Sequence, residues 1–383
     1  MRNLIKNNGI IIIYISTQLL LFVLALQKDS TIGNSYNLNK ALILHIISII
    51  LIITGYSVNK KIVFNYTDFK IYDKNFTLKK GFVTICLILI TVGLATSILT
   101  VGYIISPKEY IHKLINSATE ISNIRQKAGD GGLSGIFKMF NYCPLAIYLI
   151  TSSFITFMKF NFEDYNKLKK INNLSLIASI IKVIFSLDRL TIMAIILTQV
   201  YINVVKKKIN IKFLIIIISV FLLGVFVTAS RMSGSGILDF LIIYCKLSIV
   251  NFQMVIQNQS NFSYGFQTFL APLTFIADYF GIKLNIAQTS IWIYNPAQYL
   301  NSYLYIDFGY FSFILYPLIG YFINYVEVNK RRNSLYFVSF YFVLMFTISS
   351  FISVPFIRGV EFWLIIIICI LLSKFIKKNE SIL

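Results

Sequence analysis

Apolar runs about as long as a membrane-crossing helix, roughly 20 residues, recur along this chain and alternate with short polar segments. The pattern predicts spans at Gly9–Leu26, Ala41–Tyr56, Gly81–Ile105, Met139–Met158, Asn173–Leu187, Leu190–Val205, Phe213–Ala229, Gly309–Val326, Leu335–Phe351 and Val360–Ser373. Residues 174–205 are apolar almost throughout, too long a stretch for one untilted helix. Asp188-Arg189 falls in the middle of it. A charged pair needs a surface or a polar cavity, so a hairpin of two short spans is expected there. Two longer segments interrupt the alternation. The first, about 106–138, carries Ile111, Leu114, Ile115, Ala118, Ile121 and Ile124, at the three- and four-residue spacing of an amphipathic surface helix. Gly129, Gly131, Gly132 and Gly135 follow it as a flexible re-entry. The second, about 230–308, begins with an apolar stretch at Ile237–Val255 that contains Asp239 and Lys246. It reads as re-entrant or interfacial. The expected fold is therefore an all-α polytopic membrane protein with about ten transmembrane helices (range ten to twelve). It forms a single transmembrane domain over 1–383, with no internal repeat.

Composition supports a membrane location. The chain is 57% hydrophobic and only 13% charged, against about 45–50% and 25% in soluble domains. Its formal charge of +20 is sorted by loop and not gathered on one face, which argues against nucleic acid as a partner. With the N-terminus inside, the inner segments hold most of the 35 Lys and Arg residues, in clusters such as Lys60-Lys61, Lys206-Lys207-Lys208 and Lys330-Arg331-Arg332. That orientation satisfies the positive-inside rule and places both termini in the cytoplasm. Cys86, Cys143, Cys245 and Cys369 are far apart and suggest neither a metal site nor a disulfide framework.

Arginine departs from the pattern that lysine follows. Arg125, Arg189, Arg231 and Arg358 all fall on the predicted outer side, and the last three sit where an apolar span meets the surface. Snorkelling explains any one of them. Together they suit an anion, because a planar, permanently charged guanidinium binds phosphate oxygens in a fork. The segment Asn258–Asp307 adds amides, carboxylates and aromatics, among them Gln267, Asp278, Trp292, Tyr299, Asn301, Tyr303 and Tyr305. Such groups fit sugar hydroxyls and the apolar faces of pyranose rings. An interfacial aromatic belt is the plainer alternative.

Two local patterns resemble the Wzy-type oligosaccharide repeat-unit polymerases, also called O-antigen or capsular polysaccharide polymerases. One is the Asn/Tyr-rich run from Asn295 to Tyr310, which includes Asp307-Phe308-Gly309 before a span. The other is Ser186-Leu187-Asp188-Arg189-Leu190-Thr191, where Asp188 stands in place of a commoner Gly or Ser. The resemblance implies a membrane-embedded glycosyltransferase (GT-C-like) fold. It also implies transfer of a growing glycan from one undecaprenyl diphosphate onto the non-reducing sugar of another lipid-linked unit. The implied partners are that lipid-linked oligosaccharide, the bilayer, a chain-length regulator and a flippase. No cofactor or metal is expected.

On this reading Arg189, Arg231 and Arg358 neutralise the leaving diphosphate, and Asp307 is the fourth catalytic candidate. Arg125, His112, Asp278, Trp292, Tyr299, Asn301 and Tyr305 are candidates for binding substrate. Several alternatives stay open. Asp188 can pair with Arg189, Glu361 with Arg358, and Asp307 can cap a helix beginning at Gly309. His45, within a span, reads as a hydrogen-bonded interior residue. A ligase of the O-antigen type, a glycan flippase and a transferase using a polyprenyl monophosphate donor are the competing functions.

Overall fold

The computed structural model describes residues 7–27, 38–58, 75–102, 104–116, 124, 139–186, 188–206, 218, 237–258, 262–282, 299–330, 335–349 and 356–378. In chain order these form α1 (Gly9–Ala25), α2 (Asn39–Ser57), β1 (Asn75–Leu78), α3 (Phe82–Gly102), α4 (Pro107–Asn116), α5 (Cys143–Phe157), β2 (Lys159–Phe160), α6 (Phe162–Ser186), α7 (Arg189–Lys206), α8 (Ile237–Asn258), α9 (Leu270–Tyr279), α10 (Leu300–Phe308), α11 (Ser312–Asn329), α12 (Leu335–Ser349), α13 (Val360–Ser373) and β3 (Ile376–Lys378).

Helix α5 is the centre of the bundle. All its residues except Ile155 are buried, and it packs against α3, α6, α7, α12 and α13. Polar side chains join it to its neighbours. The Asn172 amide of α6 donates to the Tyr148 carbonyl (3.1 Å) and to the Thr151 (2.9 Å) and Ser152 (2.8 Å) hydroxyls. Among apolar surroundings such bonds specify helix register more than hydrophobicity can. Helices α2 and α11 approach closely at small residues. A Cβ on Gly55 would lie 2.0 Å from the Pro317 carbonyl oxygen, and one on Gly320 2.0 Å from that of Ile52. Only glycine permits this contact.

The expectation of ten transmembrane helices is overturned. Among the described residues, four helical stretches are long and apolar enough to cross a membrane: Asn39–Ser57, Phe82–Gly102, Phe140–Phe157 and Leu300–Asn329. The apolar helices Gly9–Ala25, Leu190–Lys206, Leu335–Ser349 and Val360–Ser373 are shorter. At 1.5 Å per residue, the 14 residues of α13 rise only about 21 Å, against a hydrocarbon core of about 30 Å. Hydropathy marked these elements, but over the described residues each helix is shorter than spanning length. The expected span at 213–229 lies outside the described residues. What remains is a helical, membrane-associated protein with apolar helices.

The all-α expectation also needs correction, because a small sheet closes one end of the bundle. Its strand order is β2-β1-β3, with β1 parallel to β2 and antiparallel to β3. Phe76 pairs with Phe160 and Lys378, and Leu78 with Ile376. The Asp164 carboxylate accepts the Leu78 amide at 3.0 Å. Strands this short carry no legible period in the sequence; their partners lie far along the chain.

At that same end sits a buried ionic cluster. Glu327 accepts the Ile10 amide (2.6 Å), the Tyr56 hydroxyl (2.6 Å) and the Tyr341 hydroxyl (3.4 Å). Lys330 lies 4.0 Å from Glu327, donates to the Tyr201 hydroxyl at 3.4 Å and stands 3.6 Å over the Tyr341 ring. The cluster ties α1, α2, α7, α11 and α12 together.

Candidate functional site

The opposite end of the bundle is organised by a chain reversal. Helix α10 ends at Gly309, whose φ of 55° and ψ of −135° suit glycine above other residues. A Cβ there would lie 2.5 Å from Phe262. The chain then folds back as α11. Tyr299 and Tyr316 are consequently within electrostatic reach of each other, whereas 17 helical residues would separate them by about 25 Å in a straight rod. Leu300–Asn329 is thus a hairpin of a short and a long helix.

Tyr303 and Asp307 are four residues apart and share one face of α10. Asp307 is fully buried. One of its oxygens accepts the Ser263 hydroxyl (2.6 Å) and the Gln267 amide (3.0 Å), and the other accepts the Thr268 amide (2.8 Å). The Tyr264 amide donates to its backbone carbonyl at 3.0 Å. The carboxylate therefore anchors the turn that leads into α9, where Tyr264 and Gly265 have positive φ.

That turn delivers Gln267 to Arg358. The guanidinium donates to the Gln267 side-chain oxygen at 3.1 Å and to the Tyr303 hydroxyl at 2.8 Å. Its carbon stands 4.6 Å from the Tyr303 ring centroid. The short 3-10 turn Phe356–Arg358 is itself tied down, because the Trp363 indole donates to the Ile357 carbonyl at 3.1 Å. The buried Nε–H of Arg358 has no partner among the described residues. A buried donor without an acceptor is costly and rare, and here it belongs to a fixed cation.

A second charged group lies at this end. Lys182 of α6 is buried. It pairs with Asp188, donates to the Thr191 hydroxyl at 2.8 Å and stands 3.3 Å over the Tyr142 ring. Asp188 also accepts the Leu190 amide (2.9 Å) and the Thr191 hydroxyl (2.6 Å), so it caps α7. Lys182 also interacts electrostatically with Glu361. The starts of α7 and α13 therefore share this end of the bundle.

The structure brings only some of the expected residues together. Arg358 and Asp307 belong to one network, with Asp307 holding the turn and not capping a helix at Gly309. Asp188 is engaged by Lys182. Arg189 opens α7 and Asp278 lies near the end of α9, each placed here by its backbone alone. His112 stands exposed on α4. Arg125, Arg231 and Trp292 lie outside the described residues. Asn301 and Tyr305 are buried on α10 and Tyr299 is buried just before it. The Asn301 amide donates to the Ser48 hydroxyl at 2.8 Å and approaches His45 Nδ1 and the Tyr299 hydroxyl at 3.4 Å. His45 itself reaches the Gln18 carbonyl at 3.3 Å.

Other important residues were not singled out from sequence. Gln267 and Tyr303 were part of a polar inventory with no assigned role; the four-residue spacing of Tyr303 and Asp307 is the signal that could have linked them. Tyr110 stacks on Phe185 at 5.6 Å and donates to the Ile184 carbonyl at 3.0 Å, which satisfies an end carbonyl of α6.

Comparison with protein-family models, with curated proteins and with solved structures finds no match for this chain.

Proposed function

We propose that this protein is a glycan transferase that polymerises undecaprenyl-diphosphate-linked oligosaccharide repeat units at the outer face of a bacterial plasma membrane. In the reaction the bond between the donor's anomeric carbon and the diphosphate oxygen breaks, and its electron pair leaves with the diphosphate. The acceptor sugar's hydroxyl oxygen forms the new glycosidic bond, and its proton passes to the departing diphosphate. The developing charge is on the diphosphate, so a preorganised cation serves catalysis better than a flexible one.

One observation carries this reading. Arg358 is immobilised between Gln267 and Tyr303 with a donor left over. Asp307, whose oxygens already accept three hydrogen bonds, acts as a positioning residue. It holds the turn that holds Gln267, which in turn holds Arg358. Arg189, at the start of a neighbouring helix, is the second cation of this reading. The termini face the cytoplasm, and a flippase supplies the lipid-linked units.

The test is complementation of a deletion strain. Arg358→Ala should leave the protein at wild-type abundance and reduce chain extension roughly 100-fold, read as a ladder collapsed to single units. Arg358→Lys should recover little, because a point charge cannot replace the fork. A normal ladder from Arg358→Ala would refute the assignment.

A further inference from the structure

The small sheet gathers three chain-distant segments at the end of the bundle away from Arg358. Lys79 and Lys80 follow β1 and lead into α3, Lys159 lies in β2 just before α6, and Lys377 and Lys378 lie in β3 just after α13. All five are exposed. The register sets Lys159 opposite Asn75 and Lys377 opposite Thr77. Asn75 and Thr77 are two residues apart on β1 and share one face of it. Lys159 and Lys377 therefore flank the central strand on that same face, about 12 Å apart at the backbone. The first turns of α6 add the exposed Lys169 and Lys170. Little opposes this charge among the described residues of these segments. Glu163 pairs with Lys167, and Asp164 is buried and accepts the Leu78 amide.

On each of the three helices the exposed positions change from lysine to aliphatic within about two turns. Leu87 follows Lys80 on α3, Leu174 follows Lys170 on α6, and Ile370 and Leu371 precede Lys374 at the end of α13; all are exposed. Phe162, the first residue of α6 and three on from Lys159, is 83% exposed. An aliphatic band that gives way to lysine, with an aromatic ring at the boundary, is the profile of a bilayer interface. We propose that this sheet-centred surface binds the headgroups of anionic phospholipids in the leaflet it faces, with the lysines on the phosphates and the Phe162 ring among the upper acyl chains. Clustered lysines attract anionic lipid roughly in proportion to their number. An acidic protein would match the charge but would leave the aliphatic band and Phe162 unexplained; a bilayer accounts for all three. The binding is independent of the reaction proposed for the opposite end.

The test uses the full-length protein in dodecyl maltoside micelles. The probes are phosphatidylglycerol and phosphatidylcholine with the same acyl chains, and inorganic phosphate is the competitor. Phosphatidylglycerol should bind roughly tenfold more tightly than phosphatidylcholine or better, and added salt should shrink the preference. The combined substitution Lys159→Gln, Lys377→Gln and Lys378→Gln should weaken phosphatidylglycerol roughly tenfold and change phosphatidylcholine by less than about twofold. Lys377→Gln alone should give the same selective loss at smaller amplitude and serves if the triple variant does not accumulate. Phe162→Ser should weaken both lipids alike, from the loss of apolar contact. Lys108→Gln is the control. That lysine is exposed on α4, whose Tyr110 is tied to the far end of α6, and its loss should leave both lipids unaffected. Full phosphatidylglycerol binding by the triple variant, an equal loss from Lys108→Gln, or ready displacement of the lipid by inorganic phosphate would each overturn the proposal. Equal binding of the two lipids would overturn it as well and leave an acidic protein as the partner of this surface.

Discussion

Both ends of the bundle hold a cation against an aromatic ring, Lys330 at Tyr341 and Arg358 at Tyr303, yet their surroundings differ. At the Lys330 end the circuit is closed. The ammonium faces Glu327, the Tyr201 hydroxyl and the Tyr341 ring, and Glu327 gathers hydrogen bonds from three other helices. At the other end the two cations differ: Lys182 is paired with Asp188, whereas among the described residues the hydrogen-bond partners of Arg358 are a tyrosine and a glutamine, and its buried Nε–H has none. A closed pair stabilises the arrangement it links. A cation fixed by neutral groups retains its full charge for a ligand. In that network the Asp307 carboxylate accepts from the 263–268 turn and not from the guanidinium.

If this contrast is right, substitutions at the two ends should separate stability from activity. The largest effect is expected for Lys330→Met, which strands Glu327 as an uncompensated buried charge. It should cost about 3–5 kcal/mol, seen as a large fall in the melting temperature of the purified protein and in its cellular level. Pairing it with Glu327→Gln should recover much of that loss. A Lys330→Met protein that melted normally but had lost chain extension would erase the distinction between the ends.

A smaller effect, with the opposite signature, is expected at Gln267. Its replacement by Ala removes one hydrogen bond to Arg358, worth about 1.5–3 kcal/mol for a charged group. That should slow chain extension roughly tenfold or more and lower the melting temperature less than Lys330→Met does. Measured against Arg358→Ala, the double variant should be no worse than Arg358→Ala alone, because Gln267 works through the guanidinium.

The smallest effect is expected at the surface pair Glu163–Lys167 near the start of α6. Lys167 donates to Glu163 at 2.5 Å, and this hydrogen bond and charge hold the Glu163 carboxyl below its usual value. A carboxylate depressed in the folded state stabilises above its unfolded pKa and loses that contribution as the pH falls through the folded value. Lys167→Met should therefore lower the melting temperature slightly near neutrality. The difference from wild type should vanish on acidification. Because both side chains are exposed, added salt should also diminish it.

The arginine anomaly was legible in the sequence, and so was the Asp307-Phe308-Gly309 motif before an apolar helix; the reversal at Gly309 was not. What the motif does was not. Each of its residues acts on a partner distant in sequence: Asp307 on Ser263, Gln267 and Thr268, Phe308 on Gly265, and Gly309 on Phe262. Asp188 shows the same limit. Its neighbour Arg189 was the obvious local partner, but Lys182, one and a half turns back in α6, takes the carboxylate. The polar residues around Asn301 resembled a loop because their side chains are polar. They are interior because Ser48, His45 and Tyr299 supply their hydrogen bonds.

The sequence by itself determined that the chain is helical and apolar and where most of its apolar helices lie, because hydropathy and helical period are local properties. It also marked Arg358 as a charge out of place. Only the tertiary structure decided how long each helix runs, that α10 folds back inside the bundle, and that three short strands meet. It alone decided which cations face a carboxylate, as Lys182 faces Asp188 and Lys330 faces Glu327. Those outcomes depend on pairings such as Arg358 with Gln267, 91 residues apart, and no local pattern encodes a partner at that distance.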